Sequence, residues 1–257
     1  MSDDRLRTDD ATDGRGGEES AAVEPGSGLS VPEMAVSTPW RTGIKARWAE
    51  IVFIAGLSVY TVMAVLASVY THFPWDLAVM RGIQSISIPG FGTFMTLLSS
   101  LGSGWVPTAL VGVVGLTLML ARFRLEGAVC IVGVTLGAVL NGLLKIITAR
   151  PRPDAALVEV MKVYNHNSFP SGHVVFFMEY FGFLFFLSYV LLRRGRLRRA
   201  LLVLFGALIV LIGVSRVYMG AHWPSDVIGA YLAGGVWLMG MISIYRRLKA
   251  RQTNSAS

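Results

Sequence analysis

Apolar residues along this chain fall in long runs bounded by short arginine clusters, with little of the polar alternation that marks a half-buried helix or strand. The first run, from about Ile51 to Val69, holds nineteen residues. At about 1.5 Å per residue it covers most of a hydrocarbon layer roughly 30 Å thick. Similar runs predict spans over about Gly127 to Ile147, Gly172 to Leu192, Ala200 to Val217 and Ser225 to Tyr245. Between His72 and Gly104 the pattern is mixed. There Phe73, Pro74 and Trp75 read as an interfacial belt, Asp76 to Ile88 as a short amphipathic surface helix, and Phe91 to Leu101 as apolar again until Gly102, Gly104 and Pro107 interrupt. A further span, second in chain order, ends near Ala121, its start fixed only to within several residues. The expectation is an all-α integral membrane bundle of six transmembrane helices.

Composition supports that class: 53% of the residues are hydrophobic and the mean hydropathy is +0.57, against roughly 45–50% apolar residues in soluble domains. The net charge of +7 conceals an asymmetry. Residues 1–39 carry nine acids and three arginines, whereas residues 40–257 carry twenty bases and seven acids, a balance of +13. The bases sit between apolar runs, the pattern of cytoplasmic membrane loops rather than of a nucleic-acid surface, so no nucleic-acid partner is expected. The first 39 residues, rich in Asp, Glu, Gly, Ser and Pro, read as a disordered acidic tail without the basic start and apolar core of a secretory signal. The expected division is this tail at 1–39, a six-span domain at 40–251 and a short C-terminal tail at 252–257. The single cysteine, Cys130, allows neither an internal disulfide nor a cysteine metal site.

Counting bases on alternate sides gives fourteen on the side that precedes the first span and six on the other. The positive-inside rule then places both termini in the cytoplasm. Lys145, Arg152, His173, Arg216, His222 and Asp226 all fall on the opposite, outer face, although they come from four helices and their loops. Ionisable groups are costly near a bilayer and mark substrate or ion paths there.

Lys145, Arg150, Arg152 and Arg216 at the outer helix ends face few acids, namely Asp154, Glu159 and Asp226. Such an excess of cations reads as an anion site, and guanidinium geometry suits phosphate oxygens; bases snorkelling at helix ends are the plainer reading of any one of them. Pro170, Ser171, Gly172 and His173 open the fourth span, where first-turn amides point at an anion; a simple N-cap accounts for Ser171 but leaves His173 unexplained. Asp226, four residues past His222 and just after Pro224, could hold one imidazole nitrogen and leave the other nucleophilic, or could cap its helix.

The spacing sharpens this. Lys145 is followed after six residues by Arg152-Pro153; Pro170-Ser171-Gly172-His173 follow; and Ser215-Arg216 precede His222 by five residues and Asp226 by three more. This resembles the three-part signature of the type 2 phosphatidic acid phosphatase superfamily, which also includes vanadium haloperoxidases. The resemblance covers roughly residues 45–247. It implies a membrane lipid phosphatase in which Lys145, Arg152 and Arg216, with Ser171 and the Gly172 amide, hold the phosphate. It further implies that His222, oriented by Asp226, attacks phosphorus to give a phosphohistidine, and that His173 protonates the leaving group and then helps activate water. The cations take the place of a metal, so no cofactor is expected, and the partners are a lipid phosphate in the membrane and water as acceptor.

Three further residues stay open at this stage. Arg150 is an additional contact near the site or an interfacial base; Glu179 and Asn141 line the substrate cavity or are structural. The lipids to consider are polyprenyl diphosphate, phosphatidylglycerol phosphate and phosphatidate, with the outward-facing site favouring the first. A phosphotransferase of the same fold is the alternative activity. A non-catalytic lipid-binding or transport protein fits less well, because every motif position is intact.

Overall fold

The computed structural model describes residues 44–254, with side chains from Arg47 onward; the predicted acidic tail lies outside them. Eight helices follow one another: α1 Ile44–Val69, α2 Asp76–Gln84, α3 Phe91–Ser100, α4 Val106–Leu120, α5 Arg124–Thr148, α6 Gly172–Leu191, α7 Arg196–Tyr218 and α8 Pro224–Asn254. No strand occurs among the described residues. Five of the helices, α1, α5, α6, α7 and α8, are long and apolar enough to cross a membrane.

The second of the six expected spans is shorter than the others. Its 15 residues in α4 cover only about 22 Å at the α-helical rise. The apolar stretch before it does not extend α4. It forms α3, which ends in a turn at Leu101–Trp105, and Gly104 takes a φ of 59° in that turn. α3 packs instead on α7, where the Tyr218 ring meets Phe91 edge-on at 4.9 Å and Ser215 donates to the Met95 carbonyl at 2.7 Å.

α6 is the centre of the bundle, in contact with α5, α7 and α8. Of its most apolar stretch 56% is buried, against 11–33% for the other four long helices. Apolarity alone does not set that position, since α1 and α7 are more apolar yet less covered, and lipid suits an apolar face as well as protein does; aromatic packing and small residues do. Phe176, Phe177, Tyr180 and Phe181 form a linked aromatic cluster along it, and Phe183 and Phe186 extend the contacts to Tyr245 of α8. Small residues set the approach of its partners, since a Cβ at Gly182 would reach Leu238 at 2.5 Å and one at Gly234 would reach Met178 at 2.9 Å. α1 lies against α8, with Gly56 at Val236, and Tyr60 stacks on Phe169 at 5.9 Å.

At the end of the bundle where α5, α6, α7 and α8 begin or finish, the chain turns sharply twice. α5 stops at Ala149, which has φ 48°, and the following Arg-Pro-Arg-Pro cannot resume a helix. α7 stops at Met219 and Gly220, whose φ is 65°. A Cβ at Gly220 would strike the Glu159 carbonyl of the 149–171 loop, and Met161 donates to the Met219 carbonyl at 3.1 Å beside it. Gly220→Ala combines left-handed strain, about 1–2 kcal/mol, with that overlap. Its thermal melt in detergent should fall clearly below wild type, and an unchanged melting temperature would refute this account of the turn.

Candidate active site

His222 stands in the short turn between α7 and α8 and is 1% exposed. Its Nε2 lies 3.3 Å from Arg152 Nη1, and its Nδ1 lies 3.3 Å from Ser168 Oγ and 3.6 Å from Asp226 Oδ2. The direct hydrogen bond between His222 and Asp226 foreseen from the sequence is therefore replaced by a bridge. Ser168 donates a short hydrogen bond to Asp226 Oδ2, which leaves its oxygen to accept from the imidazole N–H. That arrangement fixes the proton on Nδ1 and the lone pair on Nε2, toward Arg152. Burial, then the charges of Lys145, Arg152 and Arg216, push His222 well below the ordinary histidine range, so the ring is neutral near pH 7.

Asp226 reaches the imidazole through Ser168 and caps its own helix directly. Its Oδ2 also accepts from the Trp223 amide at 2.9 Å, an acid in the first turn of α8 reaching back to the residue before the helix. Its Oδ1 receives Arg150 Nη1 at 2.5 Å. Arg150 is 1% exposed and spans two carboxylates, since its Nη2 meets Asp76 Oδ2 at 3.2 Å. Ser225 completes the knot: its hydroxyl donates to Asp76 at 2.6 Å, its amide donates to Asp76 at 2.8 Å, and it accepts from Arg150 at 2.8 Å. The Arg150 Nε meets the carbonyls of Tyr70 and Thr71 at the end of α1. Arg150 thus belongs to the support of Asp226.

The remaining three cations are Lys145, Arg152 and Arg216. Lys145 donates to the carbonyls of Asn167 and Ser168 at 2.9 and 3.1 Å, while Asn167 donates back to the Lys145 carbonyl at 2.9 Å. Arg152 donates to the carbonyls of His166 and Ala221 at 2.7 and 2.6 Å. Burial and the neighbouring Arg216 lower Arg152 to about 10, which leaves it charged near pH 7. Arg216 is fully buried; one of its nitrogens donates to Ser99 of α3, whereas Nε and Nη2 have no hydrogen-bond partner among the described residues. The Tyr164 ring faces two of the guanidiniums, at 4.6 Å from Arg152 and 5.2 Å from Arg216.

At the start of α6, Ser171 sits at the N-cap position in extended conformation but makes no capping hydrogen bond. Its amide is already given to the Asp226 carbonyl at 3.3 Å, and its buried hydroxyl has no hydrogen-bond partner among the described residues. The amides of the next turn, beginning at Gly172, are those a helix start leaves without an internal acceptor. His173 Nε2 lies 3.0 Å from Ser103 Oγ, in the turn between α3 and α4. Bare Gly102 makes room for that ring, because a Cβ there would sit 2.5 Å from His173 Cδ2.

Residues 126–250, which contain all three motifs, match the PAP2 superfamily. Residues 126–250 belong to the PAP2 superfamily. The chain is 28% identical over 160 residues to phosphatidylglycerophosphatase B of Bacillus subtilis (strain 168), covering 62% of this chain and 77% of that protein. It is 28% identical over 144 residues to the bacitracin transport permease protein BcrC of Bacillus licheniformis, covering 50% and 66%. The fold resembles the crystal structure of the transmembrane PAP2 type phosphatidylglycerolphosphate phosphatase of Bacillus subtilis, with a TM-score of 0.66 at 22% identity over 76% of this chain and 96% of that one. LpxE of Aquifex aeolicus aligns with a TM-score of 0.51 at 27% identity over 66% and 96%.

Within the PAP2 domain and the helices before it, the structure gathers every motif residue foreseen from the sequence at one end of the bundle. It also recruits residues that the sequence reading passed over: Asp76, Ser99, Ser103, Tyr164 and Ser168. Ser168, two residues before Pro170, is the only one adjacent to a motif. Asn141 and Glu179 lie deeper, on facing sides of α5 and α6. Because Arg150 neutralises two buried carboxylates at once, Arg150→Met should lower stability by about 3–5 kcal/mol. Thermal melts of the purified protein in detergent would read this directly, and a loss below about 1 kcal/mol would show that the knot does not hold the site.

Proposed function

We propose that this protein is a membrane lipid phosphatase that removes a phosphate from a lipid through a phosphohistidine at His222. The observation that carries the reading is the alignment of a neutral, buried His222 whose Nε2 faces Arg152, beside Lys145 and Arg216, which have no carboxylate partner among the described residues. Fixed cations around a transferring phosphoryl group supply its main stabilisation, and this reading requires no metal. The similarity to phosphatidylglycerophosphatase B supports the same class of activity.

In the first step His222 Nε2 forms a bond to phosphorus while the bond from phosphorus to the lipid oxygen breaks, and His173 gives that oxygen its proton. Lys145, Arg152 and Arg216 hold the phosphoryl oxygens, with Ser171 and the Gly172 amide on the fourth side. Positive charge gained by the imidazole is met through Ser168 and by Asp226. In the second step His173, now without its proton, takes one from water as the water oxygen attacks phosphorus and Nε2 leaves. Phosphatidylglycerol phosphate, phosphatidate and polyprenyl diphosphate all present a suitable phosphorus. The cation-rich end faces the outside of the cell, on the weight of fourteen bases against six, with both termini in the cytoplasm.

His222→Ala should reduce phosphate release from lipid phosphates by about a thousandfold or more. Brief exposure to substrate carrying a radioactive phosphate should label wild type but not this variant; labelling of a folded His222→Ala protein would sink the proposed nucleophile. For orientation, a cysteine placed within 154–165 in a Cys130→Ser background should react with an impermeant maleimide on intact cells. Protection there until the cells are opened would reverse the assignment of sides.

A further inference from the structure

Below the phosphate cradle, between α5, α6 and α8, lies a cavity of about 10 Å³ lined by Gly137, Asn141, Val175, Glu179 and Trp237, among others. This is space for one water-sized group. Two of the polar atoms around it, Glu179 Oε2 and Asn141 Oδ1, are buried and have no hydrogen-bond partner among the described residues, and Glu179 as a whole is 2% exposed. The nearby indole offers nothing to them, because Trp237 Nε1 already donates to the Gly133 carbonyl at 2.9 Å.

The geometry links this cavity to the site above. Asn141 stands one turn below Lys145 on α5, roughly 6 Å along the axis, and its Nδ2 lies 3.1 Å from where a Cβ on Gly172 would be. Side chains tilt toward the N-terminus of their own helix. α6 begins at the cradle, so Glu179 leans up toward it; α5 ends at the cradle, so Asn141 leans down. The two side chains thus face one cavity on the inner side of the cradle. A Cβ at Gly137 would overlap the Glu179 carboxyl, so only the bare Cα lets that group occupy its place.

A buried polar group without a partner is costly, and a carboxyl and an amide oxygen aimed at one small cavity suit a small hydrogen-bonding group there. A metal cation does not suit, since calcium needs six to eight oxygens and magnesium six. We propose that Asn141 and Glu179 form a subsite for a hydroxyl or amine carried by the lipid substrate close to its phosphate. The inference rests on the phosphatase reading above and narrows it. It favours a phosphoglycerol with a free hydroxyl on the carbon next to the phosphate-bearing one. Phosphatidate, where that oxygen is esterified, and a polyprenyl diphosphate, which has none, fit less well.

The test uses the full chain in detergent and two synthetic lipids, a 1-acyl-glycerol 3-phosphate and its 2-deoxy analogue, compared by kcat/KM. Wild type should prefer the hydroxylated lipid by at least about fivefold, the lower end of what an unmade hydrogen bond at a buried group costs. Glu179→Leu should bring the ratio close to one. Gly137→Ala, whose Cβ would displace the same carboxyl, should do likewise, whereas Glu179→Gln should keep most of the preference. A wild-type ratio near one would mean that the cavity holds only water and would overturn the proposal without any variant. A preference that survives Glu179→Leu would overturn it as well. Discrimination bears on the subsite alone, whereas no phosphate release from either lipid would overturn the phosphatase reading together with it.

Discussion

The arrangement of this molecule depends on a fully buried guanidinium shared by two carboxylates. Arg150 reaches Asp226 at the start of α8, Asp76 at the start of α2 and the carbonyls of Tyr70 and Thr71 just past α1, so one side chain joins elements that are distant in sequence. Each carboxylate buried without it would carry a large desolvation penalty, and each finds further donors in Ser225, Ser168 or a backbone amide. Everything that orients His222 is built on that knot: Asp226 holds Ser168, and Ser168 holds the imidazole. The short helices between the first span and the next support the site in the same way. α2 places Asp76, and Gln84 holds the carbonyls of Glu159 and Tyr218; α3 places Ser99 on Arg216.

A membrane bundle gains little from apolar contact between helices, since lipid is as apolar as a leucine side chain. Here close approach at glycines and polar ties at the helix ends fix the architecture instead. At the end opposite the motifs, Glu126 of α5 accepts from Tyr245 and from Lys249 of α8, at 2.9 and 2.8 Å. α5 and α8 are therefore tied at this end, and at the motif end Arg150, just past α5, meets Asp226 of α8; α6 between them is held by aromatic packing.

Much of this could be read from the sequence for a definite reason. Spans are legible because hydrocarbon demands unbroken apolar runs, and the motif residues are legible because charges at the ends of such runs are rare. The short α4 and the separate α3 were read only as an uncertain start, since Gly102 and Gly104 mark a break without saying where the chain goes next. Asp76 and Ser168 gave no signal, because an acid in an amphipathic stretch and a serine in a polar loop are ordinary residues until a buried arginine and an imidazole are placed beside them. Arg150 shows the converse. Charge alone left it as an additional contact near the site or an interfacial base, and only its two carboxylate partners show that its guanidinium is taken up by Asp226 and Asp76.

The three remaining cations have a consequence for the energetics of occupancy. Lys145, Arg152 and Arg216 come from α5, the 149–171 loop and α7, and are held side by side by carbonyls, a serine and an aromatic ring. Their mutual repulsion is only partly offset by Asp226 and would be relieved further by an entering anion. On the proposed reading a bound phosphate therefore cross-links those three elements and raises the stability of the folded protein by mass action. The inorganic phosphate left after turnover meets the same charges as the substrate did, so the strength of this cradle, through product release, sets an upper limit on how fast the enzyme can cycle.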